Sequence, residues 1–223
     1  MQEVQRTYLP AAGRDWALPF YDPLVKLLGA DGARRTLLKQ ADLRPRDRIL
    51  DIGCGTGTLV ELIKRVHPEV SVVGLDPDPK ALARAKKKAA RAGVSIQFDR
   101  GFSDELPYAD ASFDRVFSSF MFHHVHTDQR GKTLREVRRV LVPGGSLHLL
   151  DFESSEGGAH GVLARWLHSS HRLKDNSETK ILEVMKTAGF ASARKVGSGA
   201  LFLGQLQFAY YSGSRDDATV NSQ

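Results

Sequence analysis

A single cysteine, Cys54, stands among 223 residues, so no intramolecular disulfide can form and a reducing cytosol is the expected compartment. Long apolar runs are also missing. The stretch from Leu18 to Leu28 is interrupted by Pro19, Asp22, Pro23 and Lys26, short of the roughly 20 residues a membrane helix needs. The opening MQEVQRTYLP lacks the charged head and apolar body of a secretory signal. No internal repeat or low-complexity segment is present. No aromatic residue interleaves with the basic stretches Lys80–Arg91 and Arg130–Arg139, as a single-strand stacking surface would require.

What is present fits one globular domain with a single large core: 41% hydrophobic and 26% charged residues. Thirty-two basic against 26 acidic residues leave a net charge of +6, which favours acidic partners such as nucleic acid, an anionic membrane or an anionic small molecule. The two basic stretches themselves read as exposed faces of amphipathic helices.

Strand-like and helix-like segments alternate from Arg48 to about Asp151. Strands are expected at 48–52, 70–75, 94–98, 113–118 and 146–150. Between them lie helices at 59–66, 79–91 and 133–141, the second capped by Asp78-Pro79 and stopped by Gly93, the third closed by Pro143-Gly144-Gly145. Such alternation implies right-handed crossovers and a doubly wound, Rossmann-like α/β domain. Residues 1–45 read as a helical cap with Leu24, Leu27 and Leu28 on one face. A further helix is expected from a cap at Asp175 or Asn176 to Gly189, then a hairpin over 194–211. Residues 212–223 are polar and are expected to form a mobile tail.

The chemistry concentrates in Asp51-Ile52-Gly53-Cys54-Gly55-Thr56-Gly57, between the first strand and the first helix. A dinucleotide fingerprint needs glycine or alanine where Thr58 stands, and a P-loop needs a Gly-Lys pair that is missing here. A carboxylate at Asp51 suits a ligand with an ammonium group rather than phosphates. Asp76, nineteen residues after Gly57, ends the second strand where an acid accepts from ribose hydroxyls. Ribose plus ammonium without pyrophosphate describes S-adenosylmethionine. Cys54 reads as a small packing residue within this loop, with no histidine beside it in sequence.

The stretches ILDIGCGTGTL, VVGLDPDP, GFSDELPYADASFDRVFSSFMFHHV and LREVRRVLVPGGSLHLLDF resemble class I S-adenosylmethionine-dependent methyltransferases, nearest the small-molecule branch that includes ubiquinone and menaquinone C-methyltransferases. The resemblance implies a seven-stranded sheet of order 3-2-1-4-5-7-6 with the last strand antiparallel, in one domain spanning 46–211. It implies that Asp51, Gly53, Cys54, Gly55 and Gly57 line the methionine half of the cofactor, that Asp76 holds the ribose, and that Pro77 lies beside adenine. Gly101, Phe102 and Ser103 would flank the adenine, with Phe102 where many relatives carry an aspartate. Ser118 and Phe120 would face the sulfonium.

Methyl transfer needs alignment above all, and a base only when the acceptor must lose a proton. His123 and His124, after the fourth strand, are the base candidates; His126 reads as solvent-facing. Three near-adjacent histidines without an acidic or cysteine partner are not a metal site. Residues 153–176, with Arg165 and His168, and the N-terminal segment with Tyr8 and Tyr21 are expected to cover a small-molecule acceptor. A nucleic-acid methyltransferase is the rival class, opposed by Ser118-Ser119-Phe120-Met121 standing where a base-holding Pro-Pro motif would be and by the lack of an added basic or zinc module. A catalytically silent cofactor-binding protein is the other.

Overall fold

The computed structural model describes residues 30–154, 176–201, 204 and 206–216. Its elements are α1 (Ala30–Gln40), β1 (Arg48–Ile52), α2 (Thr58–Val66), β2 (Ser71–Asp76), α3 (Pro79–Ala92), β3 (Gln97–Arg100), β4 (Phe113–Ser119), a 3-10 turn (Phe122–His124), α4 (Thr127–Val140), β5 (Leu141–Phe152), α5 (Glu178–Thr187), β6 (Arg194–Leu201) and β7 (Leu206–Ser214). The sheet order is β3-β2-β1-β4-β5-β7-β6. β1 to β5 pair in parallel, and β7 runs antiparallel to both β5 and β6.

Neighbouring residues of a strand point to opposite faces, so a sheet covered on both sides needs apolar residues at every position. β1 shows this directly. Ile49 and Leu50 are both fully buried, Ile49 among side chains of α1 and α2, Leu50 among those of α4 and α5. No helix among the described residues is long and apolar enough to cross a membrane.

Several boundaries differ from the sequence reading. α4 starts at Thr127 rather than Thr133, because Arg130, Thr133, Leu134, Val137 and Val140 form its buried stripe. Arg130 is therefore not part of a solvated face: it is 3% exposed, with its guanidinium 5.1 Å from the Phe122 ring centre. β5 begins at Leu141, pairs there with Phe113, and loops out through Pro143-Gly144-Gly145 before resuming at Ser146. Ser177 stands at the N-cap position of α5 without a side-chain capping bond, while Asn176 is fully buried and its side-chain amide donates to the Phe152 carbonyl. The C-terminal strand runs past Tyr211 to Ser214, because backbone pairing of Ser212, Gly213 and Ser214 with β5 needs no apolar side chain. The expected tail thus begins later than 212, and 217–223 lie outside the described residues. So do Leu24, Leu27 and Leu28 of the expected N-terminal helix.

Candidate active site

Beyond Ile52 the chain turns through the glycine loop into α2. Backbone N–H groups of Gly53 and Cys54 donate to the Leu75 carbonyl at 2.8 and 3.0 Å, tying the loop to the end of β2. A Cβ on Gly53 would stand 2.1 Å from Met121 Cγ, so only glycine allows this approach. Gly55 has φ +53 and open space where a side chain would project. Gly57 does not reach the cleft described next. It seats α2 on α3, where a Cβ would lie 2.9 Å from that of Ala85.

These turns border a cleft of about 520 Å³ above the carboxyl ends of β1, β2 and β4. Asp51, Gly53, Cys54 and Gly55 line it from the loop, Asp76 and Pro77 from β2, and Gly101, Phe102 and Ser103 from the turn after β3. Sequence residues far apart are thus brought to one wall. Ser118 is not among them. It is fully buried within the sheet, and Ser119, one step along β4 and so on the opposite face, lines the cleft instead, followed by Phe120.

Burial governs the electrostatics. Asp51 is 2% exposed, and its Oδ1 has no hydrogen-bond partner among the described residues. Burial pushes its carboxyl up to about 8; Arg34 pulls it down, and Asp76 adds to the rise. Asp76 is raised by burial as well, opposed by two backbone donors: Gly55 N–H on Oδ2 at 2.8 Å and Asp78 N–H on Oδ1 at 2.9 Å. Those bonds fix the carboxylate while each oxygen keeps a lone pair for a ligand. Burial, then Asp51 and Asp76, push the Cys54 thiol up, which keeps it protonated and unreactive.

One group of the cleft wall, Arg34, escaped the sequence reading. Arg34 reaches the cleft from α1, 6% exposed, with Asp31 at 3.6 Å and the Phe120 ring centre at 5.6 Å. Its signal was its place on the apolar stripe Ala30, Ala33, Leu37, Leu38. Phe120 itself has φ +55, a strained conformation for a bulky residue that tends to occur at functional sites. The turn drops its ring onto the cleft wall, against Phe152 at 4.8 Å and Phe208 at 6.2 Å.

The histidines separate. His124 lines the cleft. His126 also reaches its rim, but its side chain is 67% exposed and pairs with Asp128. His123 is not part of the cleft wall; its ring stands 4.1 Å from that of His124, on the β5 side, with Nδ1 2.6 Å from Asp151 Oδ1. Tyr8, Tyr21, Arg165 and His168 lie outside the described residues.

A model of the methyltransferase domain matches residues 49–145. Demethylmenaquinone methyltransferase of Thermus thermophilus is 37% identical over 150 residues, covering 66% of this chain and 67% of that protein. The chain belongs to the class I S-adenosylmethionine-dependent methyltransferases. Demethylmenaquinone methyltransferase of Deinococcus radiodurans is 39% identical over 158 residues, 70% of this chain but only 64% of the relative's length. Phosphoethanolamine N-methyltransferase 2 of Haemonchus contortus, solved with S-adenosyl-L-methionine, shares the fold at 15% identity and a TM-score of 0.68, covering 83% of this chain and 53% of its own. The cofactor is S-adenosylmethionine, and the site fits it. The orphaned buried Asp51 Oδ1 matches an ammonium, Arg34 a carboxylate, and the fixed Asp76 a pair of ribose hydroxyls.

Proposed function

We propose that this methyltransferase acts on a reduced, hydroquinone-type aromatic ring and places the methyl group on a ring carbon. The observation that carries the acceptor class is Phe120, held at φ +55 with its ring on the cleft wall and backed by Phe152 and Phe208. A flat ring gains from such a wall through offset or edge contacts, about 0.5–1.5 kcal/mol per pair beyond area burial. The names of the Thermus and Deinococcus relatives point to the same class.

The bound cofactor supplies an activated methyl group on sulfur. The chain supplies placement: Asp51, Arg34 and Asp76 hold the two ends, and Ser119 and Phe120 border the space between them. Alignment of this kind accounts for roughly 7–11 kcal/mol of barrier. A phenolic acceptor must also lose a proton, and His123 and His124 are the nearby bases. The cytoplasm is the compartment in this reading, and the cover expected at 1–20 and 155–175 lies outside the described residues.

Short-chain demethylmenaquinol, kept reduced, is incubated with the protein and S-adenosylmethionine. S-adenosylhomocysteine and a carbon-methylated quinone are expected, and no product from the oxidised quinone, which has no hydroxyl proton to give. A methyl ether as sole product would move the reading to oxygen transfer. Turnover on RNA instead would place the chain in the rival class.

A further inference from the structure

Asp151 closes β5 with a fully buried carboxylate. Three donors meet it: the His123 backbone N–H on Oδ2 at 2.7 Å, the Phe152 backbone N–H on Oδ1 at 2.7 Å, and His123 Nδ1 at 2.6 Å from Oδ1. Both oxygens thus accept already from the backbone, so the hydrogen of the third contact sits on Nδ1. A neutral imidazole with Nδ1–H carries its lone pair on Nε2. The His123 side chain is 12% exposed and is flanked by the rings of His124 and Phe152.

The location matters as much as the pairing. The cleft spans the ends of β2, β1 and β4, with Asp76 at one side and Ser119 and Phe120 at the other. In-line displacement puts the acceptor beyond the transferred methyl, on the side away from the leaving sulfur. Asp76 marks the nucleoside side, so that side is β4 and its neighbour β5. The His123–Asp151 pair bridges those two strand ends. The pairing does more than cap the turn after β4, because the backbone bond at Oδ2 alone would serve that purpose.

We propose that Asp151 is a positioning residue that holds His123 as the Nδ1–H tautomer, and that His123 Nε2 is the base that takes the acceptor's hydroxyl proton. This rests on the hydroquinone reading for its acceptor. As the proton passes to Nε2, the electron pair of the O–H bond moves through the ring to the attacking carbon. The new C–C bond forms while the C–S bond breaks, and S-adenosylhomocysteine leaves neutral. The ring hydrogen at the methylated carbon is then lost to water and aromaticity returns. The ring oxygen, left as a phenolate, takes back the proton held on His123 Nε2, so the net release is one proton per turnover.

The test joins a spectroscopic readout to a kinetic one. Long-range ¹H–¹⁵N spectra of the ¹⁵N-histidine-labelled protein, without ligand, should show His123 with a protonated Nδ1 and an unprotonated Nε2. Asp151→Asn should shift that tautomer toward Nε2–H and lower kcat on short-chain demethylmenaquinol with little change in KM. His123→Asn keeps a donor toward Asp151 but has no Nε2, so it should retain S-adenosylhomocysteine affinity and lose about 10²–10⁴-fold in kcat. An Nε2–H tautomer in the wild type, or a His123→Asn protein that turns over at the wild-type rate, overturns the proposal. A wild type that shows the Nδ1–H tautomer yet leaves the quinol unmethylated sinks the acceptor reading and upholds the pairing.

Discussion

Arg34 and Asp51, a base and an acid, face the wall of one cleft, 6% and 2% exposed, one from α1 and the other from β1. Among the described residues they form no direct ion pair with each other; Arg34 has Asp31 at 3.6 Å, and Asp51 Oδ1 has no hydrogen-bond partner there. Burial holds the Asp51 carboxyl protonated in the empty cleft up to about pH 8, and a zwitterion, which brings a cation to Asp51 and an anion to Arg34, suits the ionised pair.

The proposed function assigns the amino-acid end of the cofactor to these two residues. Arg34→Ala should weaken S-adenosylhomocysteine by about 1.5–3 kcal/mol, the scale of a hydrogen bond to a charged group. 5′-Methylthioadenosine, which lacks the amino acid, should bind wild type and variant alike. Calorimetric titration of both ligands checks this, and equal losses for the two would remove Arg34 from the methionine end.

Gly53 and Gly55 separate stability from binding. At Gly53 a methyl group would meet Met121 at 2.1 Å and also demand φ +68, so Gly53→Ala should lower Tm by several degrees even without ligand. At Gly55 the space is open, so Gly55→Ala carries only the φ > 0 strain of roughly 1 kcal/mol. Its methyl group projects at the cleft wall, so its main loss should be in cofactor affinity. Thermal melts with and without S-adenosylhomocysteine distinguish the two patterns.

The loop, Asp51 and Asp76 were legible because their chemistry is local: a strand, glycines, a helix start and an acid at a fixed distance. The sheet order came through resemblance to the family, since spacing alone does not say which strand lies beside which. Arg34 was hidden because ADGARRTLLKQ offers two adjacent arginines, and only the buried stripe of α1 chooses between them. Asp151 was hidden for a different reason. Its partner is 28 residues away in sequence, and the pairing arises only when β4 and β5 lie side by side. Ser118 was chosen over Ser119 because side-chain alternation at a strand end cannot be counted without knowing which face opens to the cleft.

His148 and Asp51 tilt the stability of the fold in opposite directions with pH. His148 is 4% exposed, stacks on Phe117 at 5.4 Å, and has Nε2 2.9 Å from the Ser146 hydroxyl oxygen. Burial, then Arg115 and Arg194, hold its imidazole down at about 4 against an ordinary 6.5. Between those values the unfolded chain binds a proton that the fold does not. Stability is therefore lost as pH falls from 6.5 towards 4, by about 3 kcal/mol at roughly 1.4 kcal/mol per unit. Asp51 works the other way. Its carboxyl lies at about 8 in the fold against 3.8 unfolded, so the ligand-free fold binds the extra proton, and stability is lost as pH rises from 3.8 through 8. The two trends oppose each other between pH 4 and 6.5, and a wild-type profile hides both. His148→Gln should remove the acid-side loss and leave the wild type falling faster on acidification. Asp51→Asn should unfold at higher urea than wild type near pH 8 without ligand, while binding S-adenosylhomocysteine more weakly. Urea midpoints of the three ligand-free proteins from about pH 4 to 8.5 check the signs. An Asp51→Asn protein less stable than wild type at the alkaline end would show that the carboxyl is ionised and satisfied in the empty cleft.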